Sequence, residues 1–500
     1  VRPDDGGAHD QAERGERGGT RRRAPPMTLS APAGGDIAGL TAGELAALYA
    51  ARRLSPVEAT RAILDRIASL NTSLNAFAFL DGEAALADAR RSEARWTSGI
   101  PSSPIDGVPV TLKDTLLAKD TPTLCGSLAI EPGDEAWDID SPVAARLREA
   151  GAVLLGKTTM SEFGVKAVTE TTRHGVTRNP WNLAFSPGGS SGGAAAAAAA
   201  GFGPLHVSTD GGGSARVPAA LTGVLGFMPT FGRIAQFPAN YQGTRFHIGI
   251  NTRSVADAAR LLSVLARPDA RDWDAIPADV RDWSDGIGRG VAGLRIAFSP
   301  TLGRGQVDAR VAAAVEHAAR LFADLGAAVE CIDPQWPAPD RPHRILGSVA
   351  MARLVDGIRP ERRARLDPSI LRRAEEGRGI GALDHVRAME ERAALGRHML
   401  RFHQRFDLLV APVTRFAAIP VGGGDGIGFE MTNVFNMTHQ PACAVPCGLL
   451  ADGLPVALQI VGRKYGDADV LAAAHAFEAV RPFVQVPAAA LAAAASGQSS

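Results

Sequence analysis

The residues of this chain best placed to do chemistry are serines set in glycine. Ser186-Pro-Gly-Gly-Ser190-Ser191-Gly-Gly193 is followed by an unbroken run of alanine over 194–200. Ser208-Thr-Asp210-Gly211-Gly212-Gly213-Ser214-Ala215-Arg216 comes next. Glycine permits positive φ and lets backbone approach a ligand closely. Successive N–H groups in such a loop can form an anion-binding nest. Three chemistries compete for loops of this kind. A phosphate loop would need a closing Gly-Lys-Ser/Thr, which neither loop has. A nucleophile elbow would frame its serine as Gly-x-Ser-x-Gly, and Ser214 lacks that frame. Two structural glycine turns remain the plain alternative. The spacing of His174, His206, His247 and His439 does not support a Ser-His-Asp triad. His439, Cys443 and Cys447 recur in four-residue steps, but Pro441 and Pro446 argue against the helix that would align them on a metal. No second His/Cys cluster completes a zinc site, so no metal is expected and the cysteines read as buried free thiols.

The same chain carries Gly107-Val-Pro-Val-Thr-Leu-Lys113-Asp114, Gly156-Lys-Thr-Thr-Met-Ser-Glu-Phe163 and Thr177-Arg-Asn-Pro-Trp-Asn182 ahead of the serine loops. Thr252-Arg-Ser-Val-Ala-Asp-Ala258 and Gly453-Leu-Pro-Val-Ala-Leu-Gln459 follow them. With this many blocks in this order, the chain resembles the amidase signature family over nearly all of its ordered length. The resemblance implies a relay of Lys113, a cis-peptide Ser190 and the nucleophile Ser214, with no cofactor. A serine hydroxyl attacks an amide only once a base takes its proton. A buried lysine can lose its charge and serve as that base. Ser190 would pass the proton between them and return it to the leaving nitrogen. The N–H groups of Gly211, Gly212, Gly213 and Ser214 would form the oxyanion hole. Ser191 would support the relay through a hydrogen bond or only cap a helix. Asp210 and Arg216 would brace the loop.

Several positions depart from the family pattern: Thr159, Gly211, Ala215, Met228, and His439-Gln440. None removes a relay residue, but together they leave the substrate open. Phe237, Tyr241 and Phe246 would favour an apolar or aryl acyl group, and His439 would line the pocket. The function expected is hydrolysis of a small-molecule amide to acid plus amine or ammonia, with esters and carbamates within reach. Two alternatives stand beside it. One is the glutaminase subunit of a tRNA-dependent amidotransferase complex; the other is a non-catalytic binding protein with the same fold.

Positioning these loops is the work of an α/β framework. Thr41-Ala-Gly-Glu44 and Ser55-Pro-Val-Glu58 read as capping boxes, with Pro56 at a first helical position. Ala59, Ala62, Ile63, Ile67 and Leu70 then recur at helical spacing. Ser141-Pro142 opens a helix to about Ala150, and Ala152 to Leu155 reads as a buried strand. The alanine run predicts a tightly packed buried helix behind the first serine loop. Helical character is also expected over 305–330 and 360–405, and strands at Phe406–Val410 and Val456–Val461. This alternation predicts one large domain, a mixed central sheet covered by helices on both faces. Its expected limits are 36–485. A disordered extension over 1–35, with Met27 as the physiological start, would precede it, and a flexible tail over 486–500 would follow.

With 53 basic and 53 acidic residues the formal charge is zero, so no global field draws in nucleic acid or anionic lipid. No run approaches the ~20 apolar residues of a membrane span, and the start lacks a secretory apolar stretch. A soluble cytoplasmic monomer or homodimer is expected, its partner a small molecule.

Overall fold

Both capping boxes form. Thr41 Oγ1 accepts from the Glu44 N–H and Ser55 Oγ from that of Glu58, while each glutamate reaches back to its cap. They open helices Ala42–Ala50 and Pro56–Leu74, and the second buries Ala59, Ile63, Ile67 and Leu70 on one stripe. Ser141 likewise caps helix Pro142–Glu149 through the Ala144 N–H. The computed structural model describes residues 36–277, 279–424 and 428–496; the extension expected over 1–35 lies outside them.

The strands are β1 (Phe77–Leu80), β2 (Pro109–Lys113), β3 (Val153–Thr158), β4 (Glu170–Thr171), β5 (Gly175–Val176), β6 (Leu205–Asp210) and β7 (Leu225–Met228). They continue with β8 (His247–Thr252), β9 (Arg295–Phe298), β10 (Ala328–Cys331), β11 (Leu408–Pro412), β12 (Ala442–Leu449) and β13 (Pro455–Gly462). Eleven of them form one sheet in the order β1-β3-β2-β6-β8-β7-β12-β13-β11-β9-β10, and β4 and β5 make a small hairpin. The sheet is mixed: β3, β2 and β6 run parallel, whereas β6, β8, β7, β12, β13 and β11 alternate in direction.

Helices cover both faces, as the pleat records. Along β11, Leu408 and Val410 join one hydrophobic cluster while Leu409 and Ala411 join another. Such strands are buried on both sides, so their sequences read as continuous apolar runs. Helix Gly192–Ala200 lies wholly buried behind the first serine loop. Its small residues set the approach distance: a Cβ on Gly193 would overlap Thr159, and one on Gly192 would overlap Thr169.

Two expectations are corrected. The tail expected to fray carries helix Ala488–Ser496, whose Ala494 is buried against the cluster that holds Ile63 and Ile67. Cys331 is exposed at the sheet edge, although Cys443 and Cys447 are buried as expected. Among the described residues no helix is long and apolar enough to cross a membrane.

Candidate active site

Strand β2 ends in Lys113, whose side chain is cut off from solvent. Parallel pairing with β6 brings Thr209 beside it, and the first serine loop closes over the top. Lys113 Nζ lies 2.7 Å from Ser190 Oγ and 2.8 Å from both Ser191 Oγ and Thr209 Oγ1. The Gly189–Ser190 peptide is cis. Burial pushes the Lys113 pKa down to about 7, with the Asp210 carboxylate pulling the other way. Near neutrality the amine therefore exists in both protonation states. The Ser190 and Thr209 hydroxyls can each donate or accept, so either state is satisfied. The Ser191 proton is committed, because its hydroxyl donates to the Thr209 carbonyl at 3.0 Å. Ser190 Oγ has Lys113 as its one partner among the described residues, which leaves its proton free to move. Ser191 occupies an N-cap position, but its side chain caps nothing.

The second loop is held from below. Asp210 accepts from Arg216 Nε and Nη2 at 3.0 Å each, from Asn436 Nδ2 at 2.9 Å, and from the N–H groups of Ala215 and Arg216. Burial alone would raise the Asp210 pKa, but Arg216 and then Asn436 outweigh it and hold the carboxyl at about 2. Arg216 reaches on to Asn436, the Thr432 carbonyl and Gln459. Thr432 Oγ1 donates to the Gly212 carbonyl at 2.6 Å, and the Val217 N–H binds the Gly213 carbonyl at 2.7 Å. The carbonyls of Gly212 and Gly213 are thus tied. The N–H groups of Gly211, Gly212, Gly213 and Ser214 donate to no protein group among the described residues. Gly213 requires glycine: its φ is +142°, and a Cβ there would overlap Thr432. A Cβ on Gly211 would overlap Gln242 Oε1, so Gln242 fills the space that a larger residue would take.

Ser214 lines a cleft of about 50 Å3 with Gly211, Gly212, Tyr241 and Phe429. Tyr241 also borders a larger cavity of about 630 Å3, which is lined by Phe237, Phe246, Phe163, Leu116 and Ile139. That size suits a small organic group. Three of the four residues read as pocket-forming are therefore at a cavity wall. His439 is not. It sits in left-handed backbone at the end of helix Asn433–Thr438, stacks on Phe231 at 4.6 Å and meets Arg392 and the Thr244 carbonyl. Burial pushes its pKa down to about 3. His174, His206 and His439 line neither cavity; His247 borders a separate one and bonds the Pro229 carbonyl. Met228 is buried, and its sulfur accepts from Asn436.

Sequence reasoning missed Thr209, Gln242, Thr432 and Asn436. Thr209 was within reach of it, since it precedes Asp210 on a strand parallel to the lysine strand. The others come from distant chain, and no local pattern marks them.

A family model for amidases matches residues 58–471. The chain is 36% identical to an acylamidase of Rhodococcus erythropolis over 466 residues, covering 89% of this chain and 96% of that protein. It is 37% identical to a glutamyl-tRNA(Gln) amidotransferase subunit of Myxococcus xanthus over 481 residues, covering 89% and 98%. Among solved structures, a bacterial aryl acylamidase of the amidase signature family superposes with a TM-score of 0.84 at 30% identity, covering 91% and 98% of the two chains. A 6-aminohexanoate cyclic dimer hydrolase does so at 0.81 and 29%, covering 90% and 98%.

Proposed function

The chain belongs to the amidase signature family, and from that premise we propose that it hydrolyses a small-molecule amide through an acyl-enzyme on Ser214. The observation that carries this is the contact between the buried Lys113 amine and Ser190 Oγ at 2.7 Å, beside the glycine loop that presents Ser214. Neutral Lys113 takes a proton from Ser190 as Ser190 takes one from Ser214. Ser214 Oγ then bonds to the amide carbon, and the carbonyl oxygen becomes an oxyanion facing the free N–H groups of Gly211 to Ser214. Collapse breaks the C–N bond, and the nitrogen leaves with the proton returned through Ser190. Water repeats the sequence on the acyl ester and releases the acid. Ser191, Thr209, Asp210 and Arg216 are positioning residues: the first two hold the amine, the others hold the loop.

Phe237, Tyr241 and Phe246 supply an aromatic wall for an apolar or aryl acyl group. The same acyl transfer applies to esters and carbamates. The enzyme acts as a monomer or homodimer without partner chains. The second reading, as the glutaminase component of a larger complex, draws on the 37% identity to the Myxococcus protein. Size-exclusion of the purified chain, followed by an assay on simple anilides, separates the two. Turnover by the chain alone supports the amidase, and turnover only after partner chains are added supports the glutaminase. Labelling by a fluorophosphonate in wild type but not in Ser214→Ala tests the nucleophile.

A further inference from the structure

The cleft beside Ser214 carries two guanidinium groups that the relay does not use. Arg245 is 3% exposed and leads into β8; Arg373 is half-buried on helix Pro368–Arg378. Both line the cleft that contains Ser214, Gly211 and Gly212. They converge on the backbone of Gly347: a Cβ there would stand 2.7 Å from Arg373 Nη2 and 3.8 Å from Arg245 Nη1. Among the described residues, neither side chain donates a hydrogen bond and neither has a carboxylate within ion-pair distance. The two carboxylates nearest Arg373 in sequence are engaged elsewhere: Glu375 pairs with Arg378 at 3.1 Å, and Glu376 accepts from Ser348 at 2.8 Å and faces Arg344 at 3.6 Å. Nearby Arg392 differs, since its donors are spent on the Met437 carbonyl, Thr244 and His439.

His343 shares the cleft. Burial, then Arg245 and Arg373, push its pKa down to about 3, so it is neutral at working pH. Its Nδ1 has no hydrogen-bond partner among the described residues. Arg245 is itself pushed down to about 10, by burial first and then by Arg392, and remains charged. A buried charge is ordinarily paired, and two like charges facing one point are costlier still. An anion between them offsets both costs, and a guanidinium fork matches a carboxylate in two parallel hydrogen bonds.

We propose that the substrate is an amide bearing a carboxylate on one of its halves, and that Arg245 and Arg373 seat that carboxylate while the apolar half enters the larger aromatic cavity. This rests on the proposed amidase reading and deepens it. Gly347 is then the position whose missing side chain gives the carboxylate access.

The test compares amides that differ in the carboxylate alone. Succinyl-p-nitroanilide against butyryl-p-nitroanilide places it on the acyl side, and N-benzoylglycine against N-benzoylpropylamine places it on the amine side. Wild type is expected to favour the anionic member of at least one pair by roughly tenfold or more in kcat/KM, mainly through KM. Arg245→Gln and Arg373→Gln should each lose more on the anionic substrate than on its neutral partner, by about tenfold. Arg245→Lys should retain part of the preference. Should the glutamine variants not fold, competitive inhibition of wild type by glutarate, weakened by added salt, carries the test. Hydrolysis of the neutral amides with no preference in either pair overturns the proposal and leaves the amidase reading standing, as do equal losses on both members. No turnover of any amide, with no fluorophosphonate labelling, overturns the amidase reading itself.

Discussion

Lys113 and Lys157 stand on neighbouring parallel strands, one register step apart, and both are buried. Lys113 lies opposite Thr158, and Lys157 opposite Leu112, so the two stems leave the pleat on opposite faces. Burial lowers both, Lys113 to about 7 and Lys157 to about 8. What differs is the company. Lys157 donates to the Leu116 carbonyl and to Thr123 Oγ1, whose own proton goes to the same carbonyl. A carbonyl only accepts, so one N–H of Lys157 is always tied to backbone. Lys113 meets hydroxyls alone, and two of them, those of Ser190 and Thr209, can reverse their role. Desolvation loosens a lysine's proton, but only reversible partners give that proton somewhere to go. Loss of affinity for the proton is thus shared by two residues, and a route for it belongs to one.

The largest expected effect falls on the group that Lys113 serves. Ser214→Ala should lower amide turnover by ~10⁴-fold or more while leaving the melting temperature near that of wild type. Intact-mass spectrometry with a slow ester should show an acyl adduct on wild type alone. Normal acylation of the alanine variant would refute the nucleophile.

Next comes the comparison itself. Lys113→Ala should cost on the order of 10³-fold in amide kcat, the middle of the range for a general base. It should cost less on an ester, because an alkoxide leaves with less help than an amine. Lys157→Met should keep activity within about tenfold of wild type and lose ~1–3 kcal/mol of stability, since the buried Leu116 carbonyl keeps only the long 3.5 Å contact from Thr123 Oγ1. Equal activity losses at the two lysines would erase the distinction between them.

A smaller effect is expected at the oxyanion loop. Gly211→Ala places a methyl group against Gln242 Oε1, which must move. A shift of the loop by a fraction of an ångström should lower kcat/KM by roughly ten- to a hundredfold. Adding Gln242→Ala should return part of the loss. A double variant no better than the single one would place the strain elsewhere.

The smallest effect is on stability. Lys113 binds its proton less tightly folded than unfolded, where its pKa is near 10.5. The unfolded chain therefore takes up more protons between about 7 and 10.5, and this group opposes folding increasingly as pH falls through that window. Lys113→Met should accordingly gain on wild type in denaturant titrations at pH 7 relative to pH 10, by a few kcal/mol at most. A gap that widens with rising pH would reverse the assigned sign.

What the sequence made legible follows chain distance. The capping boxes at Thr41 and Ser55 are complete within four residues, and both form as read. The alanine run carries its own helix propensity, and it became the buried helix Gly192–Ala200. The fold class followed from alternating elements. Lys113 and the two serines were found through family blocks, and the structure brings Lys113 to Ser190 across 77 positions. The brace around Arg216 was half legible: Asp210 is six positions away, but Asn436 lies 220 away and Gln459 lies 243 away. Nothing local marks Asn436 as a loop anchor, because its role exists only once β6 and helix Asn433–Thr438 are packed together. His439 failed for the same reason. Its type suggested a pocket, but it stacks on Phe231, meets Arg392 and lines neither the Ser214 cleft nor the larger cavity. The tail beyond Pro487 was misjudged from composition, since alanine supports a docked helix as readily as a frayed end.

The most direct measurement of the central claim is the pH dependence of kcat/KM for an anilide, taken in parallel on wild type and Lys113→Ala. The wild-type curve should break at about 7 and fall tenfold per unit below it, because the base is then protonated. The variant, however slow, should show no such break. The same break in both enzymes would mean that another group holds the proton, and that Lys113 is not the base.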